Sequence, residues 1–151
     1  MISRRRFLQA SCAATGSAWA LPAFMRGEAR PLRVAAIVTE YRPWSHADVL
    51  VGKFIQGIKL DITPSWTSIP LRAMYVDQFP ETDLSRALAR QYGFPIIKSI
   101  ADAILDEKGE LAVDGVLLVG EHGKYPENER GQQLYPRRRF FEETTDRTLI
   151  F

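Results

Sequence analysis

Residues 32–38, Leu-Arg-Val-Ala-Ala-Ile-Val, form an almost unbroken apolar run rich in β-branched side chains. A strand with one wet face would alternate, so a continuous run predicts a strand covered on both faces, as in a parallel sheet. Residues 113–119 repeat the pattern in Val116-Leu117-Leu118-Val119, and residues 71–76 and 94–98 read as two further strands. Helical patterns fall between them. Ser45 can cap a helix carrying Ala47, Leu50, Val51, Phe54, Ile55 and Ile58 and ending near Gly57. Asp83 opens another that Gly93 stops, and Ser99 with Asp102 resembles a capping pair for a short third. Residues 61–70, with Pro64, Trp66 and Pro70, read as an extended connection in which Trp66, like Trp44, covers the core. Strands alternating with helices at this spacing, under the right-handed crossover rule, predict an α/β fold: a doubly wound, mostly parallel, Rossmann-like sheet of order 3-2-1-4.

The first residues read as an address. Ser3-Arg4-Arg5-Arg6-Phe7-Leu8, followed by a weakly apolar, small-residue-rich stretch, resembles a twin-arginine export signal, with Ala18-Trp19-Ala20 as the cleavage site. Gln9, Ser11, Thr15, Gly16 and Ser17 dilute the stretch below the roughly 20 apolar residues of a spanning helix, so no permanent membrane anchor is expected. The implied partner is the twin-arginine export machinery, and the implied location is periplasmic or extracellular. Of 20 Lys and Arg against 18 Asp and Glu, the signal holds three arginines and no acid, so the mature chain is near neutral. It offers no basic footprint for nucleic acid. The single cysteine, Cys12, lies inside the signal, which excludes disulfides and thiolate chemistry from the mature domain. The expected organisation is a signal peptide and linker over 1–29, one α/β domain over 30–143 and an irregular tail over 144–151.

Ligands of open α/β sheets bind outside the carboxyl ends of the strands, where strand order reverses. There the loops after the first and fourth strands bring Thr39, Glu40, Tyr41, Arg42, Ser45 and His46 to face Glu121 and His122, while the second strand ends in Asp77. Both histidines fall on this rim. His46, His122 and Glu121 are therefore the candidate catalytic residues. Asp77 stands where dinucleotide folds place the acid that accepts ribose hydroxyls, although about 35 residues beyond the first loop rather than the usual roughly 20. Thr39, Arg42 and Ser45 would lie near the phosphates. The first loop, 39–45, holds no glycine, and Tyr41 and Trp44 would have to turn away for a pyrophosphate to approach. No metal ligand set is expected, because adjacent Glu121 and His122 would point to opposite sides. The loop 124–135 reads as a lid or a surface loop, and the helix opened by Pro136 over 137–143 carries Arg137-Arg138-Arg139, a solvated face or an anion site.

From residue 32 to about 123 the chain resembles the N-terminal domain of the Gfo/Idh/MocA oxidoreductase family. The resemblance is carried by the first-strand run, Ser45-His46-Ala47, Asp77, Arg90-Gln91-Tyr92-Gly93, residues 100–105 and residues 113–119. It implies binding of NAD or NADP, a sugar or polyol substrate, and a second, substrate-facing domain with a catalytic lysine and histidine. Without glycines in the first loop and without that second domain, the chain is expected to be inactive alone, as a truncated form of a longer protein. A metal-dependent or acid-base hydrolase and a non-catalytic binding domain are the alternatives on the same scaffold.

Overall fold

The structure, a computed structural model, describes residues 31–57 and 69–148. The expected signal peptide and its expected cleavage site after Ala20, most of the 61–70 connection including Trp66, and the last three residues of the tail lie outside the described residues. Four strands, β1 (Val34–Val38), β2 (Leu71–Val76), β3 (Ile96–Ile97) and β4 (Gly115–Val119), form one sheet in the order β3-β2-β1-β4. Every pairing is parallel, with Val34 to Val38 in register with Gly115 to Val119 on one side and reaching Val76 on the other. This is the α/β, Rossmann-like arrangement that the apolar runs predict.

Strand geometry sends alternate side chains to opposite faces, and β1 needs cover on both. Val34, Ala36 and Val38 pack with Ala47, Val51 and Ile55 of α1 (His46–Gln56) and with Leu88 and Ala89 of α2 (Ser85–Tyr92). Ala35 and Ile37 pack on the other face with Ile100, Ala103 and Ile104 of α3 (Ile100–Ile104) and with Phe140 of α4 (Arg137–Thr148). All five residues of β1 are buried. The helices leave on one face before β2 and on the other before β4, so strand order reverses between β1 and β4.

The helix ends follow local chemistry. Ser45 Oγ accepts the Asp48 N–H at 3.2 Å and Ser99 Oγ accepts the Asp102 N–H at 3.1 Å. Each satisfies an amide that the helix leaves unpaired. Gly93 stops α2 at φ 74, a left-handed conformation that costs a glycine little. At the other end of α3, the Arg72 guanidinium donates to the carbonyls of Asp102, Ala103 and Leu105 at 3.1, 3.0 and 2.9 Å. A cation there also complements the negative end of the helix dipole. Among the described residues no helix is long and apolar enough to cross a membrane.

Two elements differ from the sequence expectation. The C-terminal helix continues past Glu143 to Thr148, with Thr144 and Thr145 turning their hydroxyls back onto the carbonyls of Phe140 and Phe141. Polar residues four apart satisfy themselves locally in this way, so the stretch carries no apolar periodicity to announce it. Trp44, expected over the core, is 88% exposed.

Phe140 is the side chain that seats α4, fully buried and edge-on to Tyr75 at 5.8 Å between ring centroids. Truncating a buried aromatic leaves a cavity the surroundings only partly fill, at a cost of about 3–5 kcal/mol. Phe140→Ala is expected to lower urea stability by that amount, and a loss below about 1 kcal/mol would show that α4 is not docked through this ring.

Candidate functional site

Thr39 leaves β1 buried and ties three strand ends together. Its N–H donates to the Val119 carbonyl at 3.1 Å, its carbonyl accepts the Gln78 N–H at 2.8 Å, and its hydroxyl donates to the Glu121 carbonyl. Every polar group of Thr39 is thereby engaged in holding the rim rather than presented to a ligand. The next residues form a tight turn: Ser45 N–H donates to the Arg42 carbonyl at 3.1 Å, with Pro43 second and Trp44 third at φ 63. A proline followed by a positive φ is the type II pattern, whose third position ordinarily takes glycine. Tryptophan there costs of order 1 kcal/mol or more. The two bulky residues of this loop do turn away: Trp44 faces solvent, and Tyr41 is fully buried beneath α1. The Tyr41 hydroxyl lies so near Gly52 that a Cβ there would come within 3.3 Å of it. Burial, with Asp48 and Tyr92 nearby, pushes its ionisation well above the ordinary tyrosine range.

On the open side of this turn the two histidines meet. Glu40, with its side chain 9% exposed, holds Arg42 through Nε at 2.6 Å. Arg42 Nη2 lies 3.3 Å from His122 Nδ1, and His122 Nε2 lies 3.0 Å from His46 Nδ1. The two imidazole planes are 20° apart. His122 reaches this position from φ 68, a second left-handed non-glycine residue at the same rim. Strain concentrated at a convergence of polar side chains is characteristic of functional sites.

Glu121 points the other way, as adjacent residues should. Its carboxylate pairs with Arg137 Nη2 at 2.6 Å, while Arg137 Nε donates to the Gly120 carbonyl at 3.1 Å. Gly120 permits this approach, since a Cβ there would stand 2.8 Å from Arg137 Cγ. Between the imidazole pair and this ion pair opens a groove of about 530 Å³, lined by His46, Leu50, Leu118, Glu121, Arg137 and Phe141. His46 and Glu121 thus share a groove without touching. Among the described residues no three His, Cys, Asp or Glu side chains converge to hold a metal ion.

Asp77 is arranged differently. Oδ1 accepts from the Tyr75 hydroxyl at 2.5 Å and from Arg139 Nη2 at 2.6 Å, and Oδ2 accepts from the Tyr125 hydroxyl at 2.7 Å. Gln78 adds a reciprocal pair with the Lys124 backbone, at 3.0 and 2.9 Å. The segment after β4 and α4 are both latched to the end of β2 through these groups. The oxygens a ribose would need are already taken. Ser45 is spent on its cap, and Asp48 Oδ2 accepts the Trp44 N–H at 2.9 Å. The start of α1 therefore carries a carboxylate and has no glycine cradle. Among the described residues at this rim, Asp77 offers no free ribose acceptor and the start of α1 no glycine nest for a phosphate, so these residues do not fit a dinucleotide. The arginine run lies on a solvated helix face, as expected, and its charges are paired there: Arg137 with Glu121, Arg138 with Glu142, and Arg139 with Asp77 and Glu143. The latch partners Tyr125 and Arg139 lie 48 and 62 residues from Asp77, beyond any local spacing that could have revealed them.

Burial of Asp77 alone would raise its ionisation, but the donors Tyr75, Tyr125 and Arg139 and the guanidinium charge outweigh it and hold the carboxyl below its ordinary 3.8. A depressed carboxyl contributes stability that is complete above its unfolded value and is lost as pH falls through the lower folded one. Asp77→Asn is therefore expected to cost about 1–2 kcal/mol at pH 7, after allowing for solvent screening. The same variant should lose less than the wild type when urea melts are repeated below about pH 4. Equal acid sensitivity in both would remove Asp77 as the latch.

Comparison of the chain with protein-family models, with curated proteins and with solved structures finds no match, so the functional reading stands on this geometry.

Proposed function

We propose that the chain is an exported, Gfo/Idh/MocA-like α/β domain that has kept the scaffold of a nucleotide fold and binds a small polar molecule, a sugar or polyol, at its open rim. The observation that carries this reading is the groove between the His46–His122 pair and the Glu121–Arg137 pair. A saturated ring or chain bearing hydroxyls needs donors and acceptors side by side together with an apolar platform. His46, Arg137 and Glu121 supply the first, and the exposed faces of Phe141 and Leu50 supply the second. The Glu121–Arg137 pair is neutral as a unit, which suits an uncharged ligand better than a phosphate. With both Asp77 oxygens occupied and a carboxylate at the start of α1, NAD or NADP is the less favoured ligand.

Calorimetric titration tests this directly, using glucose, sorbitol, myo-inositol, NAD and NADP. Saturable heat is expected with at least one sugar or polyol and none with either dinucleotide. His46→Ala, which removes one hydrogen bond to the ligand, should weaken binding about tenfold. Dinucleotide binding with silent sugars would overturn the proposal.

A further inference from the structure

The imidazole chain at the rim has a direction. A guanidinium has only donors, so His122 Nδ1, 3.3 Å from Arg42 Nη2, presents its lone pair. The neutral ring then carries its proton on Nε2, which lies 3.0 Å from His46 Nδ1. His46 Nδ1 must therefore accept, and His46 carries its own proton on Nε2. We propose that Arg42 is a positioning residue that fixes both tautomers, so that the rim meets its ligand with the His46 Nε2–H and takes an acceptor oxygen of the ligand, a hydroxyl or ring oxygen of an uncharged sugar or polyol.

Arg42 is itself held against drifting. Glu40, almost wholly out of solvent, binds Nε at 2.6 Å, and the Pro43 carbonyl is 3.5 Å from Nη1. The left-handed backbone of His122 at φ 68 turns its ring toward both Arg42 and His46. Because an arginine keeps its charge throughout the working pH range, no proton passes from Glu40 to the imidazoles. The chain transmits orientation only. His46 Nε2, carrying a proton, has no lone pair with which to abstract one, so this rim polarises an oxygen rather than serving as a general base. No protein group among the described contacts takes that Nε2, and His46 is exposed at the groove.

The inference about the ligand atom rests on the rim-binding reading above, whereas the tautomers can be measured without any ligand. In the uniformly ¹⁵N-labelled chain at about pH 8.5, where ordinary imidazoles are neutral, long-range nitrogen–proton spectra should place the protons on Nε2 of both rings. Coupling across the hydrogen bond should join the His122 Nε2 proton to His46 Nδ1. In Arg42→Met the direction is no longer imposed, and a measurable share of the reverse arrangement, with the proton on His46 Nδ1, should appear. A proton on His122 Nδ1 or on His46 Nδ1 in the wild type would overturn the proposal, and so would an Arg42→Met spectrum identical to it. The wild-type spectrum decides even if the variant fails to fold. Because no sugar enters the experiment, failure here is distinct from failure of the binding proposal.

Discussion

The burial of β1 on both faces and its pairing on both edges is the constraint on which the other features depend. A strand with no exposed side cannot shift register without moving an apolar residue out of one core and into the other, so its exit point is fixed in three dimensions. Thr39 stands at that exit and is bonded to Val119, Glu121 and Gln78 at once. Three loops from separate parts of the chain are therefore brought to one rim by the same strand. His46 and His122, 76 residues apart, meet because β1 and β4 end side by side at the reversal of strand order.

That rim is divided into a latched half and an open half, with a separate hollow of about 510 Å³ between Glu40, Phe79 and Lys124 beside the latch. Over β2, the carboxylate of Asp77 is satisfied by Tyr75 of the same strand and by Tyr125 and Arg139, which bind the loop after β4 and α4 to the sheet. In a nucleotide fold a ligand would supply such donors; here the chain's own side chains supply them, and the carboxylate holds the structure together. Over β4, the polar groups are paired in ways that leave contact surface available. Glu121 and Arg137 neutralise each other at the groove wall, while Arg42 and Glu40 stand behind the imidazoles. Two left-handed non-glycine residues, Trp44 and His122, lie on this open side. Strain of that kind persists only where surrounding contacts over-determine it, and the hydrogen bonds of Ser45, Asp48 and Arg42 do so here.

Much of the fold was legible because its signals are local. Continuous apolar runs marked β1, β2 and β4, Ser45 and Ser99 marked helix starts, and Gly93 marked a stop. The crossover rule then left the order 3-2-1-4, which is the order observed. The site was legible only in outline. Position at the strand ends brought His46, His122 and Glu121 to one rim, but pairing decided their roles. Nothing near Asp77 in sequence announces Tyr125 or Arg139. Nothing near Glu121 announces that Arg137 folds back across Gly120, where only a missing Cβ allows the approach. The end of α4 was hidden for a different reason: Thr144 and Thr145 sustain a helix through hydroxyls bonded to the preceding turn. That contact leaves no hydrophobic trace.

In the proposed reading the open half over β4 receives the ligand and the latched carboxylate over β2 does not. A crystal structure of the chain soaked separately in sorbitol and in NAD tests it most directly. Density for sorbitol is expected between His46 and Phe141, with an oxygen within hydrogen-bond reach of His46 Nε2, and an intact Asp77–Tyr125–Arg139 contact in both soaks. Density for an adenosine ribose on Asp77, with Tyr125 and Arg139 displaced, would contradict it.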